Sequence, residues 1–171
     1  EVCAYAASVA NTAIRQEVEA RTEYRGMGTT LVAAVSYNDG VVVSNVGDSR
    51  AYLIQSSGIR RVSKDHSLVE RLVDLGDITE AEARTHPQRN YITRALGPEE
   101  STLCDGFIVP MKTGDFILLC TDGLVETVTD QEMYEEVHPA TDMDQCLQRL
   151  LEISKGNGAA DNVTAVLMQK L

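Results

Sequence analysis

Gly114-Asp115-Phe116-Ile117-Leu118-Leu119-Cys120-Thr121-Asp122-Gly123-Leu124 is an apolar run that drives straight into Thr-Asp-Gly. A short continuous apolar run between turn residues predicts a buried strand, and here the strand delivers a carboxylate at its end. Gly123 can adopt a positive φ and leaves the backbone open to a hydrated ion that a side chain would obstruct. Taken alone, Asp122 also reads as a residue that caps the following turn.

Two other motifs repeat the device. Gly156-Asn157-Gly158-Ala159-Ala160-Asp161-Asn162 places a second carboxylate after a glycine-rich loop and before the apolar run Val163-Thr164-Ala165-Val166-Leu167. Val46-Gly47-Asp48-Ser49-Arg50 sets a third between glycine and strand, where a turn aspartate salt-bridged to Arg50 is the other reading. Three strand-edge aspartates, with no His or Cys cluster to compete, suit hard cations such as Mg²⁺ or Mn²⁺, which prefer oxygen ligands and retain water.

Around these motifs the pattern is α+β. Val2 to Thr22 predicts an amphipathic helix with Val2, Ala6, Val9, Ala10, Ala13, Ile14 and Val18 on its apolar side. Consecutive antiparallel strands follow over Thr30–Ser36, Val41–Val46 and Ala51–Ile54, the first two joined by the hairpin turn Asn38-Asp39-Gly40. Short helices over Leu68–Leu75 and Thr79–Ala83, closed by His86-Pro87, form an excursion from the sheet. Strands resume over Thr102–Val109 and Asp115–Cys120, helices start near Asp130 and Asp142, and Asn162–Gln169 is the last strand. The apolar runs imply strands buried on both faces, in a sheet packed between another sheet and helices.

The chain of 171 residues, 43% hydrophobic and 24% charged, suits one soluble domain. Its formal charge of −11 repels nucleic-acid phosphates and anionic lipid, and no basic stripe offsets it, so neither polyanion is expected as a partner. Cys3, Cys104, Cys120 and Cys146 lie too far apart for a zinc or redox motif and read as core thiols of a reducing, cytoplasmic compartment. Residues 1–171 show no signal-peptide pattern and no apolar span of membrane length. Ser49 and Ser63 lack a neighbouring base and make poor nucleophiles.

Gly26-Met27-Gly28-Thr29-Thr30, Val46 to Arg50, His86-Pro87-Gln88-Arg89-Asn90, Cys120 to Leu124 and Ala160-Asp161-Asn162-Val163 occur in an order seen in one family. In them the chain resembles the metal-dependent protein phosphatases of type 2C, in their bacterial form, over essentially its whole length. The resemblance implies a sandwich of two antiparallel sheets flanked by helices. Water bridging two Mn²⁺ or Mg²⁺ ions would attack phosphoserine or phosphothreonine in a protein substrate, commonly opposite a Ser/Thr kinase. Asp122 and Asp161 match ligands of that centre, supported by Gly123 and Asn162, and Asp48 matches a ligand of a third, weaker metal. Residues 64–97 match the flap beside the active site, where His86, Arg89 and Arg94 are candidates to meet substrate. Packing within the flap is the other reading of both arginines, and a structural role that of His86.

By the same resemblance a phosphate-gripping arginine and a metal-bridging Asp-Gly motif are missing before the opening helix, with two strands and a helix. Residues 1–171 are therefore expected to be a partial catalytic domain with little activity alone, exposing a sheet edge suited to self-association. The alternative functions are a non-catalytic phosphatase-like interaction module and a hydrolase of small phosphoesters.

Overall fold

The computed structural model describes residues 2–171. The chain opens with helix α1 (Val2–Ala20) and a 3-10 turn at Thr22–Tyr24, followed by strands β1 (Leu31–Tyr37), β2 (Gly40–Val46), β3 (Arg50–Gln55) and β4 (Gly58–Arg61). Helices α2 (Leu68–Leu75) and α3 (Glu80–Thr85) precede β5 (Asp105–Pro110) and β6 (Phe116–Cys120). Helices α4 (Asp122–Val125), α5 (Asp130–Val137) and α6 (Met143–Gly156) lead to β7 (Ala165–Gln169). The fold is α+β with two antiparallel sheets, ordered β1-β2-β5 and β4-β3-β6-β7, and flanking helices.

The chain gathers into two compact units. One takes the described residues up to Ala33 with Ser44–Asp48 and Lys64–Gly106; the other takes Ala34–Val43, Ser49–Ser63 and Phe107–Leu171.

In the first unit Ala7, Val46 and Leu96 are buried together, with Ala10, Ile14, Leu31 and Cys104 packed against them. Ala7, Ala10, Asn11 and Ile14 therefore form the inner face of α1, while Val2, at 79%, and Val9, at 50%, stand exposed together with Ala6 and Ala13. Of the apolar side expected from spacing, Ala10 and Ile14 pack inward and Val18 is half-buried, whereas Val2, Ala6, Val9 and Ala13 are turned outward by the packing of Ala7 and Asn11. Asn11 shares the inner face and is fully used: its Nδ2 donates to the carbonyls of Glu99 and Glu100, and its Oδ1 accepts from Gly97 N at 2.7 Å. Gly97 needs to be glycine there, with φ at 108° and Ile14 and Met27 both 2.7 Å from any added Cβ.

Local capping explains the short helices. Ser67 caps α2, which stops at Gly76 in the left-handed conformation. Thr79 and Glu82 form a capping box at α3, as Thr129 and Glu132 do at α5, and the hydrogen bonds hold both glutamates below the usual carboxylate range.

In the second unit β6 sits between β3 and β7, with Cys120 opposite both Arg50 and Ala165. Phe116, Leu118 and Cys120 alternate onto one face and join Tyr52 and Ile54 in a core closed by Leu124, Val128, Met133, Val137, Cys146 and Leu150 from α4 to α6 and the turn between α4 and α5. Ile117, on the opposite face, is also buried, as the continuous apolar run required. Burial pushes the Tyr52 phenol up to about 12, against the opposing pull of Arg50, whose Nη1 donates to it at 3.3 Å.

Three local expectations are revised and one further strand, β4, is found. β1 is an edge strand whose residues Val35 to Tyr37 are exposed, so its apolar run is not buried on both faces. β4 carries little apolar signal and exists through its ladder to β3. β5 begins at Asp105 because Thr102 turns back to the Ala95 carbonyl. β7 begins at Ala165, which leaves Asp161 and Asn162 in the approach to the strand rather than in it. Cys120 and Cys146 are buried, and all four cysteines are free. Among the described residues no helix is long and apolar enough to cross a membrane.

Candidate metal centre

The ladder between β6 and β7 runs one step past its last strand pair. Thr121 N donates to the Thr164 carbonyl at 3.1 Å, and Thr164 N donates to Thr121 Oγ1 at 3.0 Å. The Thr121 side chain is thereby diverted from capping α4, although Thr121 occupies the N-cap position. Its hydroxyl also approaches the Asn162 carbonyl at 3.4 Å. The two aspartate-bearing segments are consequently stitched side by side at one end of the sheet.

Glycine makes the approach possible. A Cβ on Gly123 would lie 2.5 Å from the Asn162 carbonyl oxygen, closer than any side chain tolerates. Each aspartate then turns one oxygen to the next backbone amide: Asp122 Oδ1 accepts from Gly123 N at 2.9 Å, and Asp161 Oδ1 from Asn162 N at 2.6 Å. Those bonds set the carboxylate orientation and leave the second oxygen of each available to a cation.

A hydroxyl relay braces the segment from behind. Thr127 Oγ1 donates to the Gly123 carbonyl at 2.7 Å and lies 2.6 Å from Ser154 Oγ on α6. Since the threonine proton is committed to Gly123, Ser154 donates to Thr127. Asn157 Nδ2 then donates to the Thr127 carbonyl at 2.8 Å. None of these three stood out in the sequence, yet Ser154 follows Cys146 and Leu150 at four-residue spacing on the buried stripe of α6. A serine in that register was the available signal.

Asp48 lies in the first unit, in a turn held by its neighbours. Gly47, at φ 105°, donates its amide to His66 Nδ1 at 3.0 Å, while its carbonyl accepts from His66 N at 2.9 Å and from Asn45 Nδ2 at 3.1 Å. Arg94 Nη1 donates to Asp105 Oδ1 at 2.7 Å and to the Leu103 carbonyl at 3.2 Å. His86 ends α3, with its Nδ1 accepting from Gln88 N and its carbonyl from Arg89 N, so both residues belong to one tight turn. Asp105, absent from the sequence-derived candidates, joins Arg94 to His66. Burial alone would raise its carboxyl, but hydrogen bonds from His66 and Arg94 and the guanidinium charge of Arg94 outweigh that and hold it below the usual aspartate value.

Among the described residues no three His, Cys, Asp or Glu side chains converge in a metal-holding group. The Asp122 and Asp161 pair still fits a hard divalent cation. It offers two carboxylates on loops in backbone contact at Gly123 and Asn162, and Mg²⁺ in particular is commonly held by one or two carboxylates plus water.

The sequence profile of the protein phosphatase 2C family matches residues 3–168. Serine/threonine phosphatase stp of Listeria monocytogenes is 40% identical over 152 residues, which are 89% of this chain and 60% of that protein. The crystal structure of serine/threonine phosphatase Stp1 from Staphylococcus aureus superposes with a TM-score of 0.93 at 36% identity, over 98% of this chain and 66% of that one. The catalytic domain of serine threonine protein phosphatase PstP, solved in complex with 2 manganese ions, matches with a TM-score of 0.80 at 35% identity, over 92% of this chain and 65% of that one. The chain thus spans about two thirds or less of these relatives' lengths. With five ordered motifs, the paired aspartate loops and a family match across nearly all its residues, the chain belongs to the protein phosphatase 2C family.

Proposed function

We propose that this chain forms part of a phosphatase that removes phosphate from phosphoserine and phosphothreonine in proteins. The observation that carries the reading is the apposition of Asp122 and Asp161, made possible by Gly123 against Asn162. Mn²⁺ or Mg²⁺ bound there would lower the pKa of coordinated water and counter phosphoryl charge. The protein's own contribution is positional: Gly123 N and Asn162 N orient the two carboxylates, and the relay from Ser154 through Thr127 holds Gly123 in place. Asp48, in its braced turn, serves a further and weaker cation. His86, Arg89 and Arg94 belong to a flap over residues 64–97 that shapes substrate access, with Arg94 acting through Asp105.

Two adjacent carboxylates do not complete a binuclear centre, so residues 1–171 alone turn over slowly. Further ligands would come from the counterpart of the relatives' remaining length. The opposing partner is a Ser/Thr kinase, the compartment is cytoplasmic, and the exposed edge β1 supports self-association. The absence of a three-ligand group among the described residues favours one second reading, a phosphatase-like interaction module without turnover.

The test is phosphate release from a phosphothreonine peptide with Mn²⁺, by this chain and by one extended to the relatives' length. The expected result is Mn²⁺-dependent release by the longer chain, abolished by Asp161→Asn, and little by residues 1–171. Unaltered turnover in the variant would remove Asp161 from the site. Robust release by residues 1–171 would overturn the claim of incompleteness, and no release by either chain would favour the interaction module. Greater preference for p-nitrophenyl phosphate than for phosphopeptide would reassign the substrate class.

A further inference from the structure

His66 is buried, at 7% exposure, and takes no part in the paired-aspartate site. It is joined to Gly47 by two reciprocal hydrogen bonds. Its backbone N–H donates to the Gly47 carbonyl at 2.9 Å, and its ring Nδ1 faces the Gly47 amide at 3.0 Å. An amide N–H can only donate, so Nδ1 must be bare. The ring proton therefore sits on Nε2, which lies 3.1 Å from Asp105 Oδ2.

Arg94 Nη1 lies 2.9 Å from the same Nε2. Both nitrogens carry protons, so they do not bond to each other. They converge on the one carboxylate, Arg94 on Oδ1 at 2.7 Å and His66 on Oδ2. Asp105 thus selects the tautomer, and the tautomer supplies the acceptor for Gly47. Gly47 leaves that turn little slack, because its φ of 105° is strained for other residues and any Cβ would run into Thr30.

We propose that His66 is a positioning residue, held in its Nε2–H form by Asp105 and Arg94, that sets the Gly47–Asp48 turn through its bare Nδ1. Its importance to catalysis rests on the phosphatase reading, in which Asp48 is a cation ligand. The positioning itself does not, and it is tested without metal or phosphopeptide. A packing role alone would be served by any side chain of similar size.

Two substitutions separate the hydrogen bonds. In His66→Asn the amide oxygen falls where Nδ1 was and can still accept from Gly47. In His66→Gln the amide nitrogen falls near Nε2 and can still reach Asp105, but nothing accepts from Gly47. The measurement is NMR on the 171-residue chain. Imidazole ¹⁵N shifts give the tautomer, hydrogen exchange gives the protection of the Gly47 amide, and backbone shifts report Asp48. The wild-type ring is expected in the Nε2–H form. Gly47 protection is expected to persist in His66→Asn and to fall about tenfold in His66→Gln, the size of one lost hydrogen bond. Asp48 shifts should move only in the second variant. A wild-type ring protonated on Nδ1 would overturn the proposal even if neither variant folds, and so would equal protection of Gly47 in the two variants.

Discussion

Gly123 packs so tightly on Asn162 that a single added carbon would sit 2.5 Å from the Asn162 carbonyl oxygen. Because Asp122 precedes the one and Asp161 the other, this backbone contact sets the spacing of the two candidate ligands. Gly123→Ala is therefore expected to destabilise the chain by about 1–3 kcal/mol, since relief requires parting the Thr121–Thr164 ladder. Urea unfolding measures the loss. Mn²⁺ is expected to raise the melting temperature of the wild-type chain, and that rise should shrink in Gly123→Ala.

The relay behind Gly123 makes an ordered prediction. Ser154→Ala removes one donor and is expected to cost about 0.5–1.5 kcal/mol, whereas Thr127→Val takes the 2.7 Å donor from the Gly123 carbonyl and leaves Ser154 only its 3.5 Å approach to that carbonyl, costing about 1–3 kcal/mol. The double variant should cost less than the sum, because the same network is lost once. Denaturant midpoints of the three variants check the order; an additive pair would separate the two hydroxyls.

Leu150 is wholly buried on α6 in the core that supports α4. Leu150→Ala should cost about 2–5 kcal/mol by leaving a cavity between elements that cannot collapse onto it. Thermal unfolding measures this, and a loss below about 1 kcal/mol would show a softer core than the packing implies.

Asp105 has its folded-state carboxyl held below the usual aspartate value. As pH falls below about 4 the unfolded chain takes up a proton that the folded chain still refuses, so stability declines in that direction. The contribution is complete above that range and lost as pH drops through the folded value. Arg94→Met removes one cause of the shift and should flatten this limb of the stability profile. Urea midpoints from about pH 3 to pH 6 compare the two chains.

Much of this was legible in the sequence wherever the determining contact is local. The strand into Asp122, the loop before Asp161 and the short helices over Leu68–Leu75 and Thr79–Ala83 all depend on residues a few positions apart. What escaped depends on distant partners. Asn11 reads as a polar interruption in α1 until Gly97, 86 residues away, supplies its donor. Asp105 looks like a strand-end residue until His66 and Arg94 meet on it. β4 is a strand by virtue of its ladder to β3, since Gly58-Ile59-Arg60-Arg61 has no alternation of its own. Arg94, which residue type leaves open between substrate phosphate and packing within the flap, places Nη1 on Asp105, a partner that charge counting alone could not reveal.

The central claim is that Asp122 and Asp161 hold a divalent cation together, and Mn²⁺-induced NMR line broadening on residues 1–171 tests it most directly. At millimolar Mn²⁺ the amides of Asp122, Gly123, Asp161 and Asn162 should broaden before the rest of the chain. Asp122→Asn and Asp161→Asn should each remove that selectivity. Broadening at these amides that survives both substitutions, or its absence from the wild-type chain, would contradict the assignment.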